Sequence, residues 1–365
     1  LDLHKIRKIT PEGLVTTIGG GNSAGSQDGL LADATFSEPL ALVFDSQWNL
    51  FILDSGNSKI RKISTSGVVS TFAGSGYAIS IDGVGLDASF KYLKGITIDE
   101  NDNLYVSEYG GKIRKVSSSG VVTTIAGKEQ AGYRDGNGID ALFQYPTGLY
   151  YKSGSIYIAD TYNSRIRKLN IDTGIVSTYA GNGNFGYING HISIASFNLL
   201  SNFSFYENYL FVCEYFGNRV RLINLDTAIV STYAGSTYGD LNGYGEAAKF
   251  SQLRDIVVDS QRKILYVCDV TNNKIKKIDM VSLLKTNTNE LNKVVLYPNP
   301  VEDILTYKTN KMIRFTEVYS LDGKLVKKYD VQNNQISLGL LTNGTYIIKL
   351  IDDSGSILQT KIIKK

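Results

Sequence analysis

Five carboxylates recur at one place in the chain. Asp54, Glu108, Asp160, Glu214 and Asp269 each close a short apolar run: "LFILD", "LYVSE", "IYIAD", "LFVCE" and "LYVCD". After three of them an asparagine follows three residues later, at Asn57, Asn163 and Asn272. Oxygens at such fixed spacing leave two chemistries open. Asp and Asn cap turns by bonding nearby backbone N–H groups. Alternatively Asp54, Asp160, Glu214 and Asp269 ring an axis and hold a cation, and calcium accepts such oxygens. A feature present in every copy points to structure, because catalytic residues should break a repeat. No other cofactor is expected.

Groups for nucleophilic or zinc chemistry are scarce. The chain has two histidines, His4 and His191. A Ser-His-Asp triad needs a placed histidine, and only His191 stands in a loop suited to it. A catalytic zinc site takes three protein ligands rich in His or Cys. Cys213 and Cys268 hold the same place in successive apolar runs and read as free, buried thiols. An enzyme is therefore not the expected class. The repeat is broken at His191 and at the inserted pair Asp240-Leu241.

Tyrosine is the more informative residue, at 24 copies. Tyr77, Tyr133, Tyr187 and Tyr238 stand in long loops, and Tyr109, Tyr162 and Tyr215 directly or nearly follow the repeated acid. A flat apolar ring with a polar tip suits a sugar or peptide at a wet surface. The same rings could simply pack loops onto the body of the protein.

The elements that place these residues repeat as well. "KIRKI" occurs at Lys5–Ile9 and Lys59–Ile63, with variants starting at Lys112, Arg165, Arg219 and Lys274, about 53–55 residues apart. A β-rich run follows each of the middle copies, for example "VVSTFAG" and "VVTTIAG". Then comes a loop of about twenty residues with Asp-Gly or Asn-Gly followed by Ala-x-Phe, and a further short strand. Four short strands in such a period form the blade of a β-propeller. Six copies of the third strand predict six blades, the first incomplete because the chain begins at its third strand; five blades and a surplus strand is the alternative. The acid-ended run is apolar on successive residues, so both its faces should be buried. The Lys and Arg heads of "KIRKI" are expected in water, with their stems on apolar surface.

Strand direction reverses at each turn, so the long loops and the turns that follow the repeated acids share one face. Any ligand is expected there. Net charge is only +3, and 20% of residues are charged, which argues for a folded protein and against a nucleic-acid partner. No apolar run is long enough for a membrane helix. The start at Leu1 without a charged-plus-apolar leader suggests a removed leader or an origin inside a longer protein.

The run "NLYVSE…GKIRKVSSSGVVTTIAG" and its copies, over roughly residues 1–280, resemble NHL repeats. The resemblance implies a propeller that most often serves as a binding platform, with a minority of enzymes among relatives. A gluconolactonase-like relative would use Glu, Asp and Asn around one metal, and a purely structural adhesin module is the other alternative.

Composition changes after residue 284. A polar linker, residues 285–293, leads into residues 294–365, which read as alternating strands in a small Ig-like β-sandwich. Tyr297-Pro298-Asn299-Pro300, the turn at Gly323-Lys324, the run through Gly344 and Tyr346, and the final Lys364-Lys365 are similar to the C-terminal sorting domain of type IX secretion. That resemblance implies export through the periplasm of a Gram-negative cell, with the secretion machinery and its sortase as partners of the tail. The propeller, residues 1–284, is then expected as a monomer that meets an extracellular glycan or protein, secreted or on the outer-membrane surface.

Overall fold

The computed structural model describes residues 4–280, 295–297, 299–308, 313–321, 323–330, 335–352 and 357–365. The chain divides into two compact units, Leu1–Ile278 and Asp279–Lys365. The expected linker, residues 285–293, lies outside the described residues. Among the described residues no helix is long and apolar enough to cross a membrane.

The first unit is all antiparallel sheet. A hairpin comes first, β1 (Lys5–Ile9) with β2 (Val15–Gly20). The next repeat has β3 (Gly29–Leu30), β4 (Pro39–Phe44), β5 (Leu50–Asp54), β6 (Lys59–Ile63) and β7 (Val68–Ala73). Its successor has β8 (Gly83–Val84), β9 (Leu93–Ile98), β10 (Leu104–Glu108), β11 (Ile113–Val116) and β12 (Val121–Ala126). Two more copies follow: β13 (Gly136–Asn137), β14 (Pro146–Lys152), β15 (Ser155–Asp160), β16 (Arg165–Asn170), β17 (Ile175–Ala180), and then β18 (Gly190–His191), β19 (Leu200–Tyr206), β20 (Tyr209–Glu214), β21 (Arg219–Asn224), β22 (Ile229–Ala234). The last sheet has three strands, β23 (Leu253–Asp259), β24 (Ile264–Asp269) and β25 (Lys274–Asp279).

The full sheets therefore have five strands, one more than the sequence pattern suggests. In each, the Gly of the Asp-Gly or Asn-Gly pair and the residue after it pair with the outermost long strand, as Gly29 and Leu30 do with Val69 and Val68, and Gly83 and Val84 with Val122 and Val121. The two-residue pairing is too short to leave a periodic signature in the sequence.

Cores lie between successive sheets. One joins Leu53, Ile60 and Phe90 to Leu93, Val106 and Val122; another joins Ile113 and Phe143 to Ile158 and Val176. Strands β5, β10, β15 and β20 are buried at every residue, as their unbroken apolar runs require. The first hairpin departs from the others. Ile6 is buried against Phe36 and Ile52, but Ile9 is exposed, since only two strands stand there. Cys213 and Cys268 are free; Cys213 is buried and Cys268 only half-buried, in the three-stranded sheet.

The second unit has two sheets. One comprises β26 (Val295–Tyr297), β27 (Ile304–Lys308) and β30 (Gln335–Ser337); the other comprises β28 (Ile313–Ser320), β29 (Leu325–Asp330), β31 (Gly344–Asp352) and β32 (Ile357–Lys364). They share a core of Leu305, Tyr307 and Ile336 from one sheet with Val318, Ile348 and Ile362 from the other. The proposed motif residues come together at one end. Asn299 Oδ1 accepts the Ile363 N–H at 2.9 Å, Val301 N donates to Ile363 O at 2.8 Å, and Lys365 N donates to Val301 O at 2.9 Å. Lys364, largely buried, pairs with Gly344 across the ladder. Tyr346 donates to the Thr342 carbonyl at 2.9 Å, and Gly323-Lys324 form a turn closed on Ser320. Pro298 lies outside the described residues.

Candidate functional site

The repeated carboxylates are occupied by arginine. Arg61, Arg114, Arg167 and Arg221, the third residues of four "KIRKI" copies, are completely buried, contrary to the expectation that their heads reach water. Arg61 Nη1 meets Asp54 at 2.8 Å, Arg114 meets Glu108 at 2.6 Å, Arg167 meets Asp160 at 2.7 Å and Arg221 meets Glu214 at 2.9 Å. A second partner comes from the long loop: Asp28, Asp82 and Asp135 at 2.5–2.6 Å, and the Asn189 side-chain oxygen at 2.8 Å. Beneath each guanidinium lies the Phe of Ala-x-Phe, with Phe36, Phe90, Phe143 and Phe197 centred 5.0–5.5 Å away. Charge pairs and carbonyl acceptors satisfy the terminal nitrogens of each guanidinium, as burial demands, while Nε of Arg114 and of Arg221 has no partner among the described residues. The lysines behave as expected: Lys59 is near the surface on Ser26, and Lys62 extends over Phe51 towards Asp45.

The fifth copy keeps the same device with Lys276, which contacts Asp269 at 3.3 Å, Asp240 at 2.8 Å and the ring of Phe250. The inserted Asp240-Leu241 is thus a repair of the clamp. Among the described residues Arg7, the equivalent position in the first hairpin, is exposed. Among the described residues no group of three or more His, Cys, Asp or Glu side chains is arranged to hold a metal.

A different place gathers the groups that vary from copy to copy. The innermost strands β4, β9, β14, β19 and β23 each present their first residues to a cavity of about 280 Å³. Its deeper wall has Leu40, Lys94, Thr147, Ser201 and Arg254, then Ala41, Gly95, Gly148, Asn202 and Asp255. These are two aligned columns of the repeat. The strands stand close because the columns contain glycine. A Cβ on Gly95 would collide with the Thr147 carbonyl, and one on Gly148 with the Ser201 carbonyl. Hydroxyls tie successive sheets at their inner edge: Ser107 Oγ, on β10, donates to Thr147 O at 2.6 Å, Thr147 Oγ1 to Ser201 O at 2.8 Å, and Ser201 Oγ to Leu253 O at 2.9 Å.

Aromatic rings wall the cavity on the face of the long loops. Tyr109, Tyr162 and Tyr215 line it, joined by Tyr145 and Phe216. Tyr109 and Tyr145 pack edge to face with centroids 3.7 Å apart, and Tyr145 and Tyr162 are 4.5 Å apart. The other sequence candidates lie elsewhere. Tyr133 stacks on Arg165, Tyr187 stacks on Arg219 and bonds Asn198, and His191 bonds Ser193. Tyr77 and Tyr238 stand largely exposed on the loops.

Charge in the cavity is concentrated in two copies. Lys94 sits 5.4 Å from the Tyr109 ring centre, and its pKa is held down by burial and by the nearby Arg254 charge, against the opposing charge of Glu38. Asp255 Oδ1 accepts from Asn202 at 2.6 Å and from the Ile256 N–H at 2.8 Å. Burial pushes its pKa up, against those two bonds. Lys94, Arg254, Asp255 and Tyr145 are residues that motif reading alone passes over. The available signal is the innermost-strand column, where charge interrupts Leu40, Thr147 and Ser201.

Comparison with known proteins agrees with this architecture. The family model of the secretion system C-terminal sorting domain matches residues 295–365, and that of the NHL repeat matches residues 143–169. NHL repeat-containing protein 2 of Bos taurus is 32% identical over 178 residues, 44% of this chain and 24% of that protein. Its Gallus gallus counterpart is 27% identical over 76% of this chain and 36% of its own length. The chain thus spans well under half the length of these two relatives. A solved structure of PorZ, a bacterial surface component of the type IX secretion system of Porphyromonas gingivalis, covers 100% of this chain and 49% of its own, at 13% identity and a TM-score of 0.50, a likeness of fold. The chain carries an NHL repeat within an all-β, propeller-like unit and, after it, a type IX secretion C-terminal sorting domain.

Proposed function

We propose that the propeller is a binding module that takes an extracellular glycan in its axial cavity, and that the tail delivers it to the cell surface or beyond. The observation that carries the reading is the wall of Tyr109, Tyr145, Tyr162, Tyr215 and Phe216 above a polar floor. Flat rings stack on the C–H faces of a pyranose, and floor groups exchange hydrogen bonds with its hydroxyls. A volume of about 280 Å³ suits one or two sugar units better than a protein segment. The sorting tail supplies the extracellular setting.

The test is a glycan array probed with the full chain, followed by calorimetry on the hits. Saturable binding that disappears in Tyr109→Ala and Tyr162→Ala is expected. Binding that survives both substitutions, or no hit at all, overturns the assignment.

A further inference from the structure

We infer that the cavity selects a carboxylate-bearing sugar, a uronic-acid unit, whose carboxylate seats against Lys94 and Arg254. The inference rests on the axial cavity being the glycan site proposed above.

Two cations face one small cavity close enough for the Arg254 charge to depress the Lys94 pKa. Among the described residues neither is within ion-pair distance of a carboxylate: Glu38 and Asp255 act on Lys94 and Arg254 only from further away, and Asp255 Oδ1 is taken by Asn202 and the Ile256 N–H. Keeping two like charges together in a partly desolvated space is unfavourable, and an anion between them relieves it.

The fold does not require these charges. At the same position the other three copies have Leu40, Thr147 and Ser201, and their strands take the same innermost place in their sheets. The repeat is an internal control: it shows which chemistry the inner strand needs, and cationic side chains are not part of it. The buried guanidiniums of the blades make the contrast sharper, since each of those has its carboxylate.

The parts divide the work by chemistry. The rings take the apolar face of the sugar, Lys94 and Arg254 take the carboxylate, and Asp255 can accept hydroxyl donors. Arg suits a planar carboxylate through two parallel N–H bonds, and Lys adds a point charge. Binding of this kind weakens with added salt.

Calorimetry with the full chain tests this, comparing digalacturonate with neutral digalactose and a sulfated disaccharide. Digalacturonate should bind at least about tenfold more tightly than digalactose, the size of one charge-assisted contact pair. Lys94→Met and Arg254→Met should each bring the ratio of digalacturonate to digalactose affinity down to about one. Equal affinity for the acidic and neutral sugars, with Tyr109→Ala still abolishing both, overturns the charge assignment and keeps the glycan reading. Tighter binding of the sulfated sugar overturns the carboxylate assignment. Binding of none of the three overturns the inference and, with an empty array, the reading beneath it.

Discussion

Arg61 and Asp54 face each other at 2.8 Å with neither side chain reaching solvent. The arginine lies seven residues beyond the acid in the chain, on the neighbouring strand of the same sheet. The relationship recurs in Arg167 and Asp160, and it ties the strand that ends in the acid to the loop that carries Asp135.

Removing one member should therefore be costly. Arg167→Leu leaves Asp160 buried without its counter-charge, and a loss of about 3–5 kcal/mol is expected from urea unfolding. Arg7→Leu, in the exposed copy, should change stability by less than about 0.5 kcal/mol. Equal effects of the two would contradict the clamp.

The acid and the residue three positions later form a matched set. Asp54, Asp160 and Asp269 are paired with Asn57, Asn163 and Asn272, whose side-chain amides donate to them at 2.7–2.9 Å. Glu108 and Glu214 are followed instead by Gly111 and Gly217. The longer Glu fills the space of the amide, and a Cβ on Gly217 would strike the Glu214 side chain. Gly217→Asn alone should lower stability by about 1–3 kcal/mol through the clash. With Glu214→Asp added, most of the loss should return. Additive losses in that double-mutant cycle would rule out the pairing.

A pH dependence follows from the same site. Glu214 Oε2 is buried with no partner among the described residues, and burial pushes the carboxyl up to about 7 despite Arg221. The ordinary value is 4.5. Between those values the folded protein keeps a proton that the unfolded chain releases, so stability falls as pH rises through that window. Glu214→Gln removes the titration and should flatten that part of the curve. Urea midpoints at several pH values within the window check it; an unchanged slope would refute it.

Ligand binding should divide the tyrosines. Tyr162→Ala and Tyr215→Ala, which open the cavity wall, should weaken glycan affinity at least about tenfold, in line with the stacking and area lost. Tyr77→Ala and Tyr238→Ala should leave it unchanged, and calorimetry compares the four.

The tail should act alone. Residues 294–365 fused to a reporter are expected to carry it to the surface or medium of a type IX-competent cell. Reporter retained in the periplasm, seen by fractionation, would remove the export role.

The sequence made the period, the strands and the tail readable because those signals are local: alternating or unbroken apolar runs bounded by Gly, Asn and Asp. The buried arginines were not readable in that way. The partners of Arg61 come from Asp54 on one side and Asp28, 33 residues away, on the other, and only folding brings them together. Arg61 alone looks like any surface cation. The cavity was half readable. Tyr109, Tyr162 and Tyr215 stood out by type, whereas Lys94, Arg254 and Asp255 emerge only when the copies are aligned on the innermost strand. Tyr133 and Tyr187 share the residue type but spend their rings on Arg165 and Arg219.

The two-residue strands β3, β8, β13 and β18 have a bearing on order of assembly. Each is made before the four strands it completes, and each pairs with the last of them. As the chain leaves the ribosome, β8 is already waiting when β12 emerges. A sheet can then complete its ladder of backbone hydrogen bonds before the next sheet exists, while its apolar face waits for that neighbour. Chains shortened after Ala126, Ala180 or Ala234 end on sheets whose strands are all present, so the array can grow one complete sheet at a time from its amino end.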